Sequence, residues 1–262
     1  MNGITEHDDG GLLPRQQSRF DAAPLFGSLG NDLWVSREEE GAPTIVLNGK
    51  TYSRFLDRLY IPGPTTSLSI RQVVAINRYR EQHIASDPQF TYRDAIRQLF
   101  AQVLSDLRPV CVAEIGPGRF PLSLPQFRSY SAVEIDPVAI EYLRSCDGIS
   151  VIDQTKEQSL QSSIDICFSL FAFHFDISYG ALAYLARSMT KEGIFVFNVV
   201  THSPEVRTRA ICKLSRLGFY SRCIDLEPKY SKEDVIFICS RSRGSDDRLF
   251  SAFERELHGT GG

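Results

Sequence analysis

The stretch EIGPGRFP, residues 114–121, places two glycines directly after the apolar run VCVA. Gly116 and Gly118 have no Cβ to keep a ligand away from the backbone, and Pro117 between them stiffens the turn. A dinucleotide-binding G-x-G-x-x-G loop would need a third glycine where Pro121 stands, and no GKS or GKT follows to make a phosphate-binding P-loop. We therefore expect a small ligand against this loop, held in neither of those two ways.

Acidic residues follow the glycines at the ends of the next predicted strands. Glu134 closes the second strand, where nucleotide-binding folds place a carboxylate on the two ribose hydroxyls. Asp153 closes the third strand, and Asp165 opens the fourth. Each of them alone is also typical of a solvated carboxylate at a strand end. Together in one βαβ frame, they indicate a ligand site.

The segment FAFHFD, residues 171–176, follows the fourth predicted strand, where a second reactant would meet the ligand. Its three phenylalanines, Phe171, Phe173 and Phe175, indicate either an aromatic-lined pocket or simple packing at the strand end. His174 is the candidate catalytic base, because imidazole titrates in the range that removes a hydroxyl proton near neutral pH. A structural histidine is the competing interpretation.

Alternating strands and helices must position these residues. Apolar residues at i, i+3, i+4 over 92–107 predict a helix, and an earlier helix is predicted over about 69–84. From Val110 onward apolar strands alternate with helices, and the last two strands, 219–224 and 235–240, have no helix between them. The pattern predicts an α/β fold, a doubly wound, seven-stranded, mostly parallel sheet with a final antiparallel pair and an N-terminal, mainly helical cap.

The chain divides into four predicted parts. Residues 1–24 are polar and lack periodicity, so we expect a mobile tail. Residues 25–90, which include a hairpin turn at Asn48-Gly49, are predicted to form a cap over the substrate pocket. Residues 91–241 are predicted to form the ligand-binding and catalytic domain, and residues 242–262 a C-terminal tail.

Composition excludes several classes of function. The net charge of -3 and the pI near 6.0 give no basic footprint for a nucleic-acid backbone or an anionic membrane. No apolar run approaches the roughly 18 to 20 residues of a membrane span, and the acidic start MNGITEHDDGG lacks a secretory apolar centre, so we expect a cytoplasmic protein. The cysteines form no CxxC pair and have no histidine at ligand spacing, which predicts reduced buried thiols and no metal site. They are Cys111, Cys146, Cys167, Cys212, Cys223 and Cys239.

The order of these motifs resembles the class I, Rossmann-like S-adenosylmethionine-dependent methyltransferases over residues 92–240. The resemblance is carried by VAEIGPG, VEIDP, Asp153, SIDICFSLFAFH, LARSMTKEGIFVF and LGFYSR, in that order. It implies a methyltransferase that uses S-adenosylmethionine and releases S-adenosylhomocysteine. The atom that is methylated, whether oxygen, nitrogen or carbon, stays open, as does the oligomeric state.

The resemblance also implies roles for individual residues. Glu114, Gly116 and Gly118 would surround the methionine part of the cofactor, Glu134 would bind the ribose, and Asp153 would lie beside the adenine amine. The acceptor side lacks the DPPY or NPPF type of run that methyltransferases of adenine or glutamine amines carry at this strand end. With a sizeable N-terminal segment beside the core, the sequence favours a small-molecule acceptor.

One departure from the family pattern keeps two alternatives open. The family's usual third glycine, two residues after Gly118, is Phe120 here, and Pro121 and Pro125 leave little room for a long helix after the loop. The run G-x-G-x-F-P-L-S also resembles the loop of nicotianamine synthase-like enzymes, which transfer the aminocarboxypropyl group of the same cofactor. The other alternative is a protein of this fold that binds cofactor or partner without catalysis.

Overall fold

The structure is a computed structural model that describes residues 25–38, 42–56, 58–63, 68–83, 89–109, 111–122, 124–153, 163–173, 175, 177–200, 204–226 and 234–259. The predicted mobile tail, residues 1–24, lies outside them. No helix in these segments combines the length and apolarity needed to cross a membrane.

The N-terminal part of the chain is a five-stranded antiparallel sheet followed by one helix. Its strands pair in the order β1-β2-β5-β4-β3. The elements are β1 (Phe26–Gly30), β2 (Leu33–Ser36), β3 (Thr44–Leu47), β4 (Lys50–Leu56), β5 (Leu59–Pro62) and α1 (Ile70–His83). The predicted helix over 69–84 is confirmed by α1.

The prediction of a mainly helical cap is wrong. Two-residue turns at Asn31-Asp32 and Asn48-Gly49, all four residues with positive φ, join the strand pairs as tight hairpins do. Only the second turn carries the Asn-Gly signal that sequence reasoning recognises. Strands of four to seven residues give too few alternations for the remaining pairs to be read from periodicity.

The rest of the chain builds a seven-stranded sheet covered by helices. Its first half consists of α2 (Gln89–Leu107), β6 (Cys111–Ile115), β7 (Ser129–Glu134), α3 (Pro137–Arg144) and β8 (Ile149–Asp153). Its second half consists of β9 (Ile164–Ser169), α4 (Tyr179–Ser188), β10 (Met189–Val200), α5 (Pro204–Arg216), β11 (Tyr220–Asp225), β12 (Asp234–Ser240) and α6 (Asp247–His258).

The strand order is β11-β12-β10-β9-β6-β7-β8, and β12 runs antiparallel to both of its neighbours. The predicted doubly wound, mostly parallel sheet with a final antiparallel pair is therefore confirmed. The chain fills one side of β6 with β7 and β8 and then the other side with β9 and β10. Strand order thus reverses between β6 and β9, and open α/β sheets bind ligands beyond the carboxyl ends of the strands at such a point.

Both faces of this sheet are buried, as parallel strands require. Alternate β9 residues face opposite sides, with Phe168 in the cluster under α2 and α6, and Cys167 in the cluster under α4 and α5. No regular helix lies between β6 and β7 in the described residues 116–122 and 124–128, which agrees with the prolines there. The crossover consists of the glycine loop and a run of turns.

The predicted C-terminal tail is wrong, because residues 247–258 form α6. Leu249, Ala252, Phe253 and Leu257 are buried at the i, i+3, i+4, i+8 spacing of one apolar helix face. The Phe253 ring lies 5.1 Å from that of Phe100 on α2. The amphipathic pattern is in the sequence, but it follows a polar run that looks like a chain end.

Candidate functional site

A cavity of about 410 Å³ lies at the carboxyl edge of the seven-stranded sheet, within the usual size range of small-molecule sites. Its walls come from the glycine loop after β6, the end of β7, the loop after β9, and helices α1 and α2. The cavity therefore lies where strand order reverses.

The two glycines of the loop have different surroundings. Gly116 has φ of +65°, and a Cβ built on it would lie 2.5 Å from the Cβ of Ala172 in the loop after β9. Its N–H donates to the carbonyl of Val133 at 2.8 Å. Gly118 has φ of +60°, but a Cβ there would meet no atom within 4 Å and Gly118 lines the cavity. Gly116 allows two loops to approach, whereas Gly118 leaves space that a ligand can fill.

Glu134 lies in the cavity wall at the end of β7 and is nearly fully buried. Its Oε2 accepts from the Gly118 N–H at 2.9 Å, and its Oε1 accepts from the N–H groups of Ile135 at 2.7 Å and Asp136 at 3.0 Å. Burial raises the pKa of Glu134, and these three hydrogen bonds oppose that rise. The carboxylate thus fastens the glycine loop to the end of β7.

Glu114 is fully buried behind the loop, and its side chain does not form part of the cavity wall. Its Oε2 accepts from the Leu122 N–H at 2.7 Å and from the Tyr130 hydroxyl, while its Oε1 has no hydrogen-bond partner among the described residues. Burial raises the pKa of Glu114, against an opposing effect of the Arg97 charge. The structure therefore places Glu114 as a support under the loop.

Two of the predicted site residues are described only in part or not at all. The backbone of Asp153 ends β8 directly opposite Glu134 in the parallel ladder, so both residues reach the same edge of the sheet. The Asp153 side chain lies outside the described part of the structure. His174 lies wholly outside it, so its predicted role as a base stays a prediction.

The three phenylalanines after β9 separate into two groups. Phe171 and Phe175 line the cavity. Phe173 points elsewhere, and its ring stacks on that of Phe197 in the core at 3.9 Å between centroids. Both interpretations offered by the sequence thus apply, each to different residues.

Buried polar side chains, which sequence reasoning missed, fix the loop after β9. Phe171 has φ of +62°, an uncommon conformation for a bulky residue. Its N–H donates to Oδ1 of the fully buried Asn198 on β10 at 2.8 Å. Ser169 donates from its Oγ to the carbonyl of Ile115 at 3.1 Å. The signal for Asn198 was available, because a lone amide inside the apolar run IFVFNVV needs a hydrogen-bond partner.

Helix α1 supplies polar wall residues that the sequence did not indicate. Asn77 donates from Nδ2 to Oδ2 of Asp136 at 3.4 Å, and Asp136 also caps α3 by accepting from the Val138 N–H at 3.0 Å. Oε2 of Glu81 lies 3.6 Å from Nη1 of Arg119 in the glycine loop. Nothing local marks these residues, since their positions depend on how α1 packs on the sheet.

Helix α2 adds two charged residues to the wall, Asp94 and Arg97. Arg97 is half-buried and acts electrostatically on Glu114 behind the loop. The cavity wall thus combines carboxylates with cations, since Arg80 and Arg119 line it as well as Arg97. Within the described residues there is no group of three or more His, Cys, Asp or Glu side chains that could hold a metal ion.

No protein-family model matches this sequence, and no curated protein matches it. Solved structures do resemble the chain. The three solved structures described here and in the next paragraph are all methyltransferases. A possible histamine N-methyltransferase from Thermotoga maritima is 15% identical with a TM-score of 0.46, over 64% of this chain and 98% of that one. A TehB-like S-adenosylmethionine-dependent methyltransferase from Corynebacterium glutamicum is 15% identical with a TM-score of 0.47, over 65% and 98%.

Magnesium protoporphyrin IX methyltransferase from Synechocystis, solved with bound S-adenosylmethionine, is 14% identical with a TM-score of 0.45, over 68% of this chain and 100% of that one. Methyltransferases are therefore among the solved structures that this chain resembles, as the motifs predicted. At these identities and TM-scores, their acceptors say nothing about the acceptor of this chain.

The described wall residues have the polarity that a ligand such as S-adenosylmethionine would need. The open space at Gly118 is what a ligand against the backbone needs, and the neighbouring wall holds a carboxylate, backbone amides and a cation. A ligand with hydroxyls, an amino group and a carboxylate finds a partner of suitable polarity for each. Apolar side chains also line the cavity.

Proposed function

We propose that this protein transfers the methyl group of S-adenosylmethionine to a small-molecule acceptor. The observation that carries the proposal is the open space at Gly118 beside Glu134, at the point where strand order reverses. Three of the motifs that resemble class I methyltransferases, VAEIGPG, VEIDP and SIDICFSLFAFH, contribute residues to the wall of this cavity.

Glu134 is the proposed ribose ligand. A carboxylate offers about four acceptor sites, two on each oxygen. Oε1 already accepts two backbone N–H groups and Oε2 accepts one. One site therefore remains on Oε2 for a ribose hydroxyl, and a second hydroxyl would have to compete with the Gly118 N–H. Asp153, opposite Glu134 in the ladder, is the proposed partner of the adenine amine.

Arg97 is the proposed partner of the carboxylate at the cofactor's amino-acid end. It is the wall residue on α2 whose charge already acts on Glu114 behind the glycine loop. A guanidinium presents a fork of donors that matches a carboxylate. Glu114 itself would act through the loop, since it contacts the Leu122 N–H and lies outside the wall.

When bound, the cofactor offers a methyl carbon to which the acceptor's lone pair forms a bond while the carbon–sulfur bond breaks, its electron pair stays on sulfur, and S-adenosylhomocysteine results. The protein's own task is to hold the acceptor in line with that bond and to exclude water. A protonated acceptor also has to lose a proton to a base, for which His174 remains the candidate.

The test uses S-adenosylmethionine labelled in its methyl group, mixed with the protein and a deproteinised metabolite extract. We expect label in one or a few small molecules and an equal amount of S-adenosylhomocysteine. Glu134→Ala should lose this turnover at limiting cofactor, while Glu141→Ala, an exposed carboxylate on α3, should keep it. Methylthioadenosine as the product would instead indicate aminocarboxypropyl transfer, and unchanged cofactor in every extract would favour a non-catalytic binding protein.

A further inference from the structure

Eight apolar side chains of the cavity wall, named here its apolar end, are not explained by the cofactor-binding residues. Its side chains come from two segments, the loop after β9 and the start of α1. The loop contributes Leu170, Phe171, Ala172, Phe175 and Ile177, and α1 with its preceding residues contributes Leu68, Ile70 and Val73.

Phe175 joins this end of the cavity to the N-terminal sheet. Its ring lies 5.8 Å from that of Phe55 on β4, at an interplanar angle of 45°. Phe175 and Leu68 both pack against the cluster of Leu33, Val35, Phe55, Leu59, Ile61 and Ile76, which belongs to that sheet and α1. The N-terminal sheet therefore sets the position of a cavity wall on the seven-stranded sheet.

The neighbouring Phe171 is held by contacts with the seven-stranded sheet and the glycine loop. Asn198 accepts its N–H, and Ala172, the next residue, lies against Gly116. The loop is thus fixed at β10, at the glycine loop and at the N-terminal sheet. Contacts that hold Phe171, Ala172 and Phe175 in place before a ligand binds lower the entropic cost of binding.

We propose that this apolar end is the acceptor site and that it binds an aromatic ring of the acceptor, with Phe175 and Phe171 as the contacts that select it. The inference rests on the proposed function, because it assigns the cavity wall around Gly118 and Glu134 to the cofactor. Aromatic side chains favour offset or edge-to-face contact with another ring, which aliphatic and strongly polar molecules do not supply. The N-terminal sheet then determines the acceptor through Phe55 and Phe175.

The test is calorimetric and needs no knowledge of the true acceptor. The full chain is first titrated with S-adenosylhomocysteine, and the saturated protein is then titrated with 4-methylphenol and, separately, with ribose as a polar molecule of similar size. We expect saturable binding of 4-methylphenol and none of ribose. Phe175→Leu should weaken 4-methylphenol about tenfold. Phe173→Leu is the matched control, because it makes the same change in the same loop away from the cavity.

The outcomes separate this inference from the proposed function. Binding of S-adenosylhomocysteine without binding of 4-methylphenol to the wild-type protein overturns the aromatic acceptor site and leaves the proposed function in place. Binding of 4-methylphenol without S-adenosylhomocysteine overturns the proposed function. Equal weakening of 4-methylphenol by Phe173→Leu and Phe175→Leu overturns the selective role of Phe175. If either variant fails to fold, the wild-type titrations with 4-methylphenol and ribose still decide whether the site exists.

Discussion

Gly116 and Gly118 have nearly the same φ, yet the structure requires them for different reasons. At Gly116 a side chain would collide with Ala172, so a substitution there damages the packing of two loops. At Gly118 a side chain would enter open space in the cavity wall. A substitution at Gly118 can therefore test ligand binding without disturbing the packing of the two loops, whereas one at Gly116 cannot.

Gly118→Val should weaken binding of S-adenosylhomocysteine by at least about tenfold, which corresponds to about 1.4 kcal/mol. The variant also pays for a branched residue at positive φ, about 1 to 3 kcal/mol of stability. Gly148→Val is the matched control, because Gly148 has φ of +77° and open space but lies in the turn before β8, outside the cavity wall. Calorimetry and thermal unfolding should show a similar stability loss in both variants and weakened binding in Gly118→Val alone. Weakened binding in both would assign the effect to backbone strain.

Glu114 should make stability depend on pH in a specific direction. Burial raises its pKa above the ordinary carboxyl value, despite Arg97 and the hydrogen bonds from Tyr130 and Leu122. The folded state therefore holds this proton more tightly than the unfolded state, and the protein loses stability as pH rises from the ordinary pKa through the raised one.

Glu114→Gln removes that titration while keeping an oxygen for the Leu122 and Tyr130 donors. We expect the variant to match wild type in acid and to exceed its stability above the raised pKa, by about 1.4 kcal/mol for each unit of elevation. Urea unfolding over a range of pH measures the difference, which includes the part of the Glu114 pKa rise that comes from the nearby Glu134 charge. Glu141→Gln controls for the loss of one charge. A wild-type-to-variant difference that does not grow with pH contradicts the expectation.

At the scale of elements, the loop after β9 depends on one amide from the neighbouring strand. Asn198→Leu keeps the branched shape of the side chain but leaves the Phe171 N–H without its acceptor, which should cost about 1 to 3 kcal/mol of stability. Amide hydrogen exchange gives the local readout, and the Phe171 N–H should lose its protection. Ser169→Ala removes a different buried hydrogen bond at the same strand end and should leave that protection unchanged. Retained protection in Asn198→Leu would mean that Asn198 does not hold the loop.

Helix α6 occupies residues that were predicted to form a tail, and its packing leads to a direct prediction. Phe253 is fully buried against Phe100, so Phe253→Ala should cost about 3 to 5 kcal/mol of unfolding free energy. Glu254→Ala, on the exposed face of the same helix, should cost little. Thermal unfolding at matched conditions measures both. Equal and small losses in both variants would contradict the packing of α6 against α2.

The elements that could be predicted are those that a pattern within a short stretch of sequence indicates. Strands and helices alternate from Val110 onward, and the missing helix between the last two strands directly indicates their antiparallel pairing. The N-terminal sheet could not be predicted in the same way, because β2, β3 and β5 have four residues each and their pairing depends on long-range contacts. α6 could have been found from the spacing of Leu249, Ala252, Phe253 and Leu257.

At the scale of the whole molecule, some residues of the candidate site could be predicted from the sequence and others could not. The glycine loop and Glu134 follow from the order of strands, since parallel strands end at one edge of the sheet. Asn77, Glu81 and Arg97 could not be predicted, because the packing of α1 and α2 against that edge brings them there. The contact between Asn77 and Asp136 joins the N-terminal helix to the end of β7. The cavity wall is therefore formed by the edge of the seven-stranded sheet together with α1 and α2, and the sequence indicated only the residues at the sheet edge.

The central claim is that this cavity binds S-adenosylmethionine, and one calorimetric titration tests it most directly. Wild-type protein titrated with S-adenosylhomocysteine should show one saturable site, and saturation at about 100 times Kd should stabilise the folded state by about 2.7 kcal/mol. Binding of the reaction product needs no acceptor, so an unknown acceptor does not affect the result. Titrations with S-adenosylhomocysteine and with S-adenosylmethionine that show neither heat nor a rise in Tm up to millimolar concentrations would contradict the account.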